Sequence, residues 1–190
     1  MPDEFKIDNS KLEKLAKKFK TKDSFSLSSA SCKKLFNLYS EVITERIRRQ
    51  HLAHIIRSLE SYLQEKTGNS LFTIKCYAVD LPFGDNTQGH YRKGRCFDIY
   101  YNKSLSEDEV RICLSHELGH LFLEAYSYMQ KGKKLYEDAA SMEPLSSLFG
   151  IFTIASKNDF YQNEANSCIN GETFNGLVDK FLSLGRQNAK

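Results

Sequence analysis

A chain of 190 residues with 41% hydrophobic content can bury one good core, so a single compact unit is the expected organisation. Its net charge of +3 gives no reason to expect direct nucleic-acid binding. No apolar run is long enough to span a bilayer, and residues 1–22 are charged throughout without a secretory apolar stretch, so a cytoplasmic protein with no membrane association is expected.

Taken from the start, Lys11, Lys14, Lys17, Lys18, Lys20 and Lys22 alternate with Leu12, Leu15, Ala16 and Phe19 and predict a short helix with a solvated basic face. The serine-rich stretch Asp23 to Ser31 reads as a loop. From about Ser31 to Lys66, apolar residues from Leu35 and Leu38 through Ile55, Leu59 and Leu63 recur at three and four. One long helix, or two joined near Gln50, is predicted, closed by Thr67-Gly68-Asn69. His51 and His54 lie within it without a carboxylate or thiol at ligand spacing and read as ordinary helix histidines. No helix-turn-helix pattern is present here. Residues 1–70 are thus expected to form a helical region packed on a second part, 71–190.

After Asn69 the period changes to two. Leu71 to Val79 predicts a strand, Leu81 to Asn86 a turn, and Arg95 to Tyr101 a second strand, with His90-Tyr91-Arg92 as a short third paired across Lys93-Gly94. The predicted class is α+β, mainly helical, with a small antiparallel or mixed sheet of about three strands. Five cysteines, Cys32, Cys76, Cys96, Cys113 and Cys168, are scattered without any C-x-x-C pair and read as reduced thiols.

Ser106 and Glu109 form a capping-box signature, so a helix should start there. Val110, Leu114, Leu118, Leu121, Phe122 and Ala125 make its buried stripe. Glu109, Cys113, His116, Glu117, His120 and Glu124 fall on another face, expected to look into a cleft. Within that face lies His116-Glu117-Leu118-Gly119-His120. Residues four apart stand one above the other on a helix, so the two imidazoles can grip one ion, with Glu117 beside them as a base. Chance alone would produce such a pentad in about one chain of this length in a hundred, so its helical context decides in favour of a metal site. Gly119 costs a helix about 1 kcal/mol relative to alanine, which suggests close approach of another backbone or a substrate.

Two histidines leave a catalytic zinc one protein ligand short. Glu124, Glu137, Asp138, Glu143 and Glu164 are the downstream acidic candidates. Glu124 is one turn further along the same helix and suits a role holding His120. Glu143 heads the apolar run Pro144 to Phe152, which can pack as a helix across the first, with Pro144 tolerated in its opening turn. It is the preferred third ligand. Phe149 to Ala155 continues that helix, Lys157 to Gly171 reads as a polar loop, and Glu172 to Leu184 as an amphipathic closing helix.

Leu-Ser-His-Glu-Leu-Gly-His-Leu at 114–121, preceded by the strand at 96–101 and followed by Glu143-x-x-Ser-Ser-x-Phe-Gly, resembles the ImmA/IrrE-type metallopeptidases over roughly residues 71–160. Ser115 stands where that family has alanine, Ser146-Ser147 where it has Ala-Asn, and Pro144 directly follows the acid. The resemblance implies a small zincin-like fold with one catalytic Zn2+ held by His116, His120 and Glu143, and Glu117 as general base. It implies a protein substrate, of which a DNA-binding helix-turn-helix repressor is typical. His90, Tyr91, Tyr136 and Tyr161 are the candidates for stabilising the oxyanion. The alternatives are a non-catalytic zincin-like regulator that holds a protein partner on its sheet edge, and hydrolysis of a non-peptide amide or ester by the same groups.

Overall fold

A computed structural model describes residues 26–48, 51–81, 87–92, 96–133, 142–154 and 169–170. The predicted helices at 11–22 and 172–184 lie outside them. Ser26–Leu27 (β1) pairs antiparallel with Ile169–Asn170 (β5). This pairing corrects the loop readings at both places: a serine-rich sequence does not reveal a partner more than a hundred residues away. Ser28 also ends the loop three residues early, because its hydroxyl accepts the Ser31 N–H at 3.1 Å and caps helix α1, Ser29–Val42.

Where one or two helices were expected there are three, α1, α2 (Glu45–Arg48) and α3 (Leu52–Thr67). Side chains that compete for backbone donors make the breaks, without proline or glycine. Ile43 turns extended after α1, the Thr44 hydroxyl accepts the Ile47 N–H at 3.3 Å, and His51 Nδ1 accepts the Ala53 N–H at 3.4 Å. Gly68 ends α3 in the left-handed conformation, φ 67°, that glycine adopts without strain.

Thr73–Val79 (β2), Thr87–Arg92 (β3) and Cys96–Asn102 (β4) form a mixed sheet in the order β2-β4-β3. β4 lies centrally, parallel to β2 (Ile74 opposite Phe97) and antiparallel to β3 (Tyr91 opposite Phe97). Ile74, Phe97 and Ile99 are buried. Side chains of α3 close the outer edge of β2: Glu60 accepts the Ile74 N–H and Gln64 donates to the Phe72 carbonyl, both at 2.8 Å.

Glu107–Met129 (α4) lies against β3 and β4 and crosses Met142–Ile154 (α5). One core joins Leu35 and Tyr39 of α1, Ile55, Leu59 and Leu63 of α3, Leu118 and Phe122 of α4, and Leu148 and Phe149 of α5. The Phe149 ring meets Phe122 at 5.2 Å and Tyr39 edge-on at 5.1 Å. The fold is therefore α+β, mostly helical, with a three-stranded sheet and the two-stranded β1–β5 pair among the described residues. Among the described residues no helix is long and apolar enough to cross a membrane.

The expected division of the 107–129 helix into a core stripe and a cleft face is too simple. Cys113, assigned to the cleft, is buried, and Arg111, Ser115, Leu123 and Tyr126 are buried as well. This helix sits inside the fold and is covered on several sides. Its buried polar groups bond to α5: Arg111 Nη2 donates to the Thr153 carbonyl at 3.3 Å, and the Thr153 and Ser115 hydroxyls lie 2.7 Å apart.

Candidate metal centre

The start of α4 is fixed by Glu109, whose carboxylate accepts the Ser106 N–H at 3.0 Å and the Ser106 hydroxyl at 2.9 Å. Two and three turns on, His116 and His120 project from one face, with ring centroids 4.8 Å apart and planes at 79°. Their Nε2 atoms are 3.1 Å apart. Both rings are half-buried.

The third side of the group comes from α5. Glu143 lies in its first turn, where the following Pro144 removes no intrahelical hydrogen bond. Its Oε2 is 3.2 Å from His116 Nε2 and its Oε1 is 3.2 Å from His120 Nε2. Two glycines set this meeting. A Cβ on Gly119 would lie 2.6 Å from the Ser146 carbonyl oxygen and 2.8 Å from its Cα, and one on Gly150 would lie 3.3 Å from the His116 nitrogen. At Gly119 a side chain would force the α5 backbone away, and at Gly150 one would fit only if the His116 backbone gave by a few tenths of an ångström.

The donor set fits a metal ion. Ligand atoms on a tetrahedral zinc with bonds of 2.0–2.1 Å are about 3.3–3.4 Å apart, and the three contacts here measure 3.1, 3.2 and 3.2 Å. His116, His120 and Glu143 together could therefore hold a metal ion. The Glu143 side chain is 69% exposed, so the group opens to solvent. Hydrogen bonds from His116 and then His120 hold the Glu143 carboxyl well below the usual carboxylate range, against the opposing effect of burial. For His120, burial alone lowers the pKa, but the hydrogen bond to Glu143 and the charges of Glu143, Glu117 and Glu124 outweigh it, and the net shift is upward.

Glu117 is half-buried on α4 next to His116, and its charge is felt at His120. Glu124, read as holding His120, is exposed and influences that ring through its charge; the His120 Nε2 contacts are with His116 and Glu143. Burial raises the Glu124 pKa and the His120 charge opposes the rise. His90 and Tyr91 lie on β3 opposite Asp98 and Phe97, with side chains outside the described ones. Tyr136, Tyr161, Glu137, Asp138 and Glu164 fall outside the described residues. His51 and His54 are exposed at the start of α3, and His51 Nε2 is 3.6 Å from the Glu107 carboxylate at the surface. Cys76, Cys96 and Cys113 are in no disulfide, and burial pushes the Cys76 thiol up to about 11.

One contact was not read from the sequence. The Ser147 hydroxyl is 3.2 Å from His116 Nδ1, the ring nitrogen turned away from Glu143. Its position four residues after Glu143 was the available signal, since that spacing puts both side chains on one face of α5.

Comparison of the chain with protein-family models, with curated proteins and with solved structures finds no match. The class the fold and site define is accordingly coarse: an α+β chain carrying a His-His-Glu group suited to a metal ion.

Proposed function

We propose that this chain is a zinc-dependent metallopeptidase of the ImmA/IrrE type, zincin-like in fold, that cuts a regulatory protein such as a helix-turn-helix repressor. The observation that carries the reading is the convergence of His116, His120 and Glu143 at 3.1–3.2 Å beside Glu117 on the same helix. A zinc ion in that group supplies a Lewis acid for the scissile carbonyl and lowers the pKa of its water to about 7. The Glu117 carboxylate takes the proton released as water oxygen adds to the carbonyl carbon. It then delivers that proton to the amide nitrogen as the C–N bond breaks, so that one water is consumed and an acid and an amine are formed. The three ligand residues are acceptors toward the metal only when both imidazoles are neutral at Nε2 and Glu143 is ionised. The exposed carboxylate of Glu143 leaves one side of the group open for an extended peptide.

The test separates peptidase from metal-holding regulator. Glu117→Gln is expected to bind zinc as the wild type does and to lose peptide hydrolysis by about 10²–10⁴-fold, the contribution of a general base. His116→Ala is expected to lose both. Hydrolysis by the Gln variant at the native rate would remove Glu117 from the mechanism; zinc binding without any hydrolysis by the wild type would leave the regulator reading.

A further inference from the structure

We infer that Ser147 is a positioning residue for the metal centre, its hydroxyl holding the His116 ring at Nδ1, the nitrogen turned away from Glu143. The inference rests on the proposed metal centre.

The two nitrogens of the His116 ring have different surroundings. Nε2 lies 3.2 Å from Glu143 Oε2 and 3.1 Å from His120 Nε2, among the atoms that would hold the ion, and Nδ1 lies 3.2 Å from the Ser147 hydroxyl. A neutral ring that would hold a metal ion through Nε2 carries its proton on Nδ1, and a hydroxyl oxygen can accept that N–H.

The placement is built into α5. Glu143 and Ser147, four residues apart, bracket the two nitrogens of one ring, and Ser147 is only 7% exposed, so water does not readily replace it. Gly150, three residues further, lets the helix backbone come up to His116. A partner on the far nitrogen fixes both ring orientation and tautomer, and its loss typically lowers metal affinity by about 10–100-fold.

Zinc titration of the full chain tests this. Ser147→Ala is expected to show affinity reduced about 10–100-fold with unchanged circular dichroism, and Ser147→Thr, which keeps the hydroxyl, to recover most of it. An Ala variant that binds zinc like the wild type would overturn the positioning role. A wild type that binds no zinc would bring down the metal centre and this inference together, while a zinc-binding wild type without hydrolysis would leave the inference standing and remove only the peptidase reading.

Discussion

The two faces that α4 and α5 present are packed on opposite principles. Toward α1 and α3, the contact is made of large apolar side chains: Leu118, Phe122 and Phe149 against Leu35, Tyr39, Ile55 and Leu59, all buried. Toward each other, beside the Phe122–Phe149 ring contact that joins them to the apolar face, α4 and α5 meet through Gly119 and Gly150 and through buried hydroxyls and a guanidinium, Ser115, Thr153 and Arg111. Apolar packing is non-directional and tolerates small shifts, so it supplies stability. A crossing made through glycines and hydrogen bonds tolerates little and supplies position, and position is what three ligands 3.1–3.2 Å apart require.

The largest effect on stability should come from the first face. Leu59→Ala, at a fully buried side chain, is expected to cost about 2–5 kcal/mol in urea unfolding while zinc affinity of the folded protein stays as it was. A fall in affinity comparable to that of a ligand variant would break the distinction between the two faces.

Gly119→Ala should behave in the reverse way. Overpacking against the Ser146 backbone is expected to cost about 1–3 kcal/mol, offset by about 1 kcal/mol of helix propensity. Net stability therefore changes less than for Leu59→Ala. Zinc affinity should fall steeply, because α5 carries Glu143 and Ser147 away as it moves. Isothermal titration beside an unfolding curve checks both halves, and a variant with native affinity would mean that the crossing distance does not set the site.

The smallest effect is in pH dependence. Glu143 is depressed below its ordinary 4.5, so its contribution to metal-free stability is present above that value and fades as pH falls through the depressed one. His120 is raised above its ordinary 6.5, so its contribution is full below 6.5 and fades as pH rises through the raised value. The metal-free protein should therefore gain most from this pair between about pH 4.5 and 6.5. Zinc affinity should rise with pH across the same range, as the ion displaces the ring proton. Thermal melts of wild type and Glu143→Gln without metal, compared from acid to alkaline pH, check the first part; a difference that does not narrow as pH rises above His120's ordinary 6.5 would contradict the assignment of His120.

Much of the site was legible because its signals are local. The i, i+4 histidines, the Ser106 and Glu109 cap, the Gly119 flag for close approach and Pro144 in an opening helical turn each depend on residues within a few positions of one another. The fold was legible to the same depth: three strands and the helices around them follow from periodicity. The misreadings have separate causes. The β1–β5 pair joins positions 26–27 to 169–170, and the breaks that separate α1, α2 and α3 arise from single side chains bonding to nearby backbone where no glycine or proline gives warning. The burial of Cys113 depends on what covers the outer sides of α4, which helical spacing does not encode.

By itself the sequence determined which residues could act together on one helix, since 3.6 residues per turn brings His116, Glu117 and His120 to one side whatever surrounds them. Only the tertiary structure decided that Glu143 closes the group and that Ser147 stands behind His116. Both come from a second helix, and no local rule states the angle at which two helices cross. The two helices come close where Gly119 meets the Ser146 backbone and Gly150 meets that of His116, a property of two surfaces packed together.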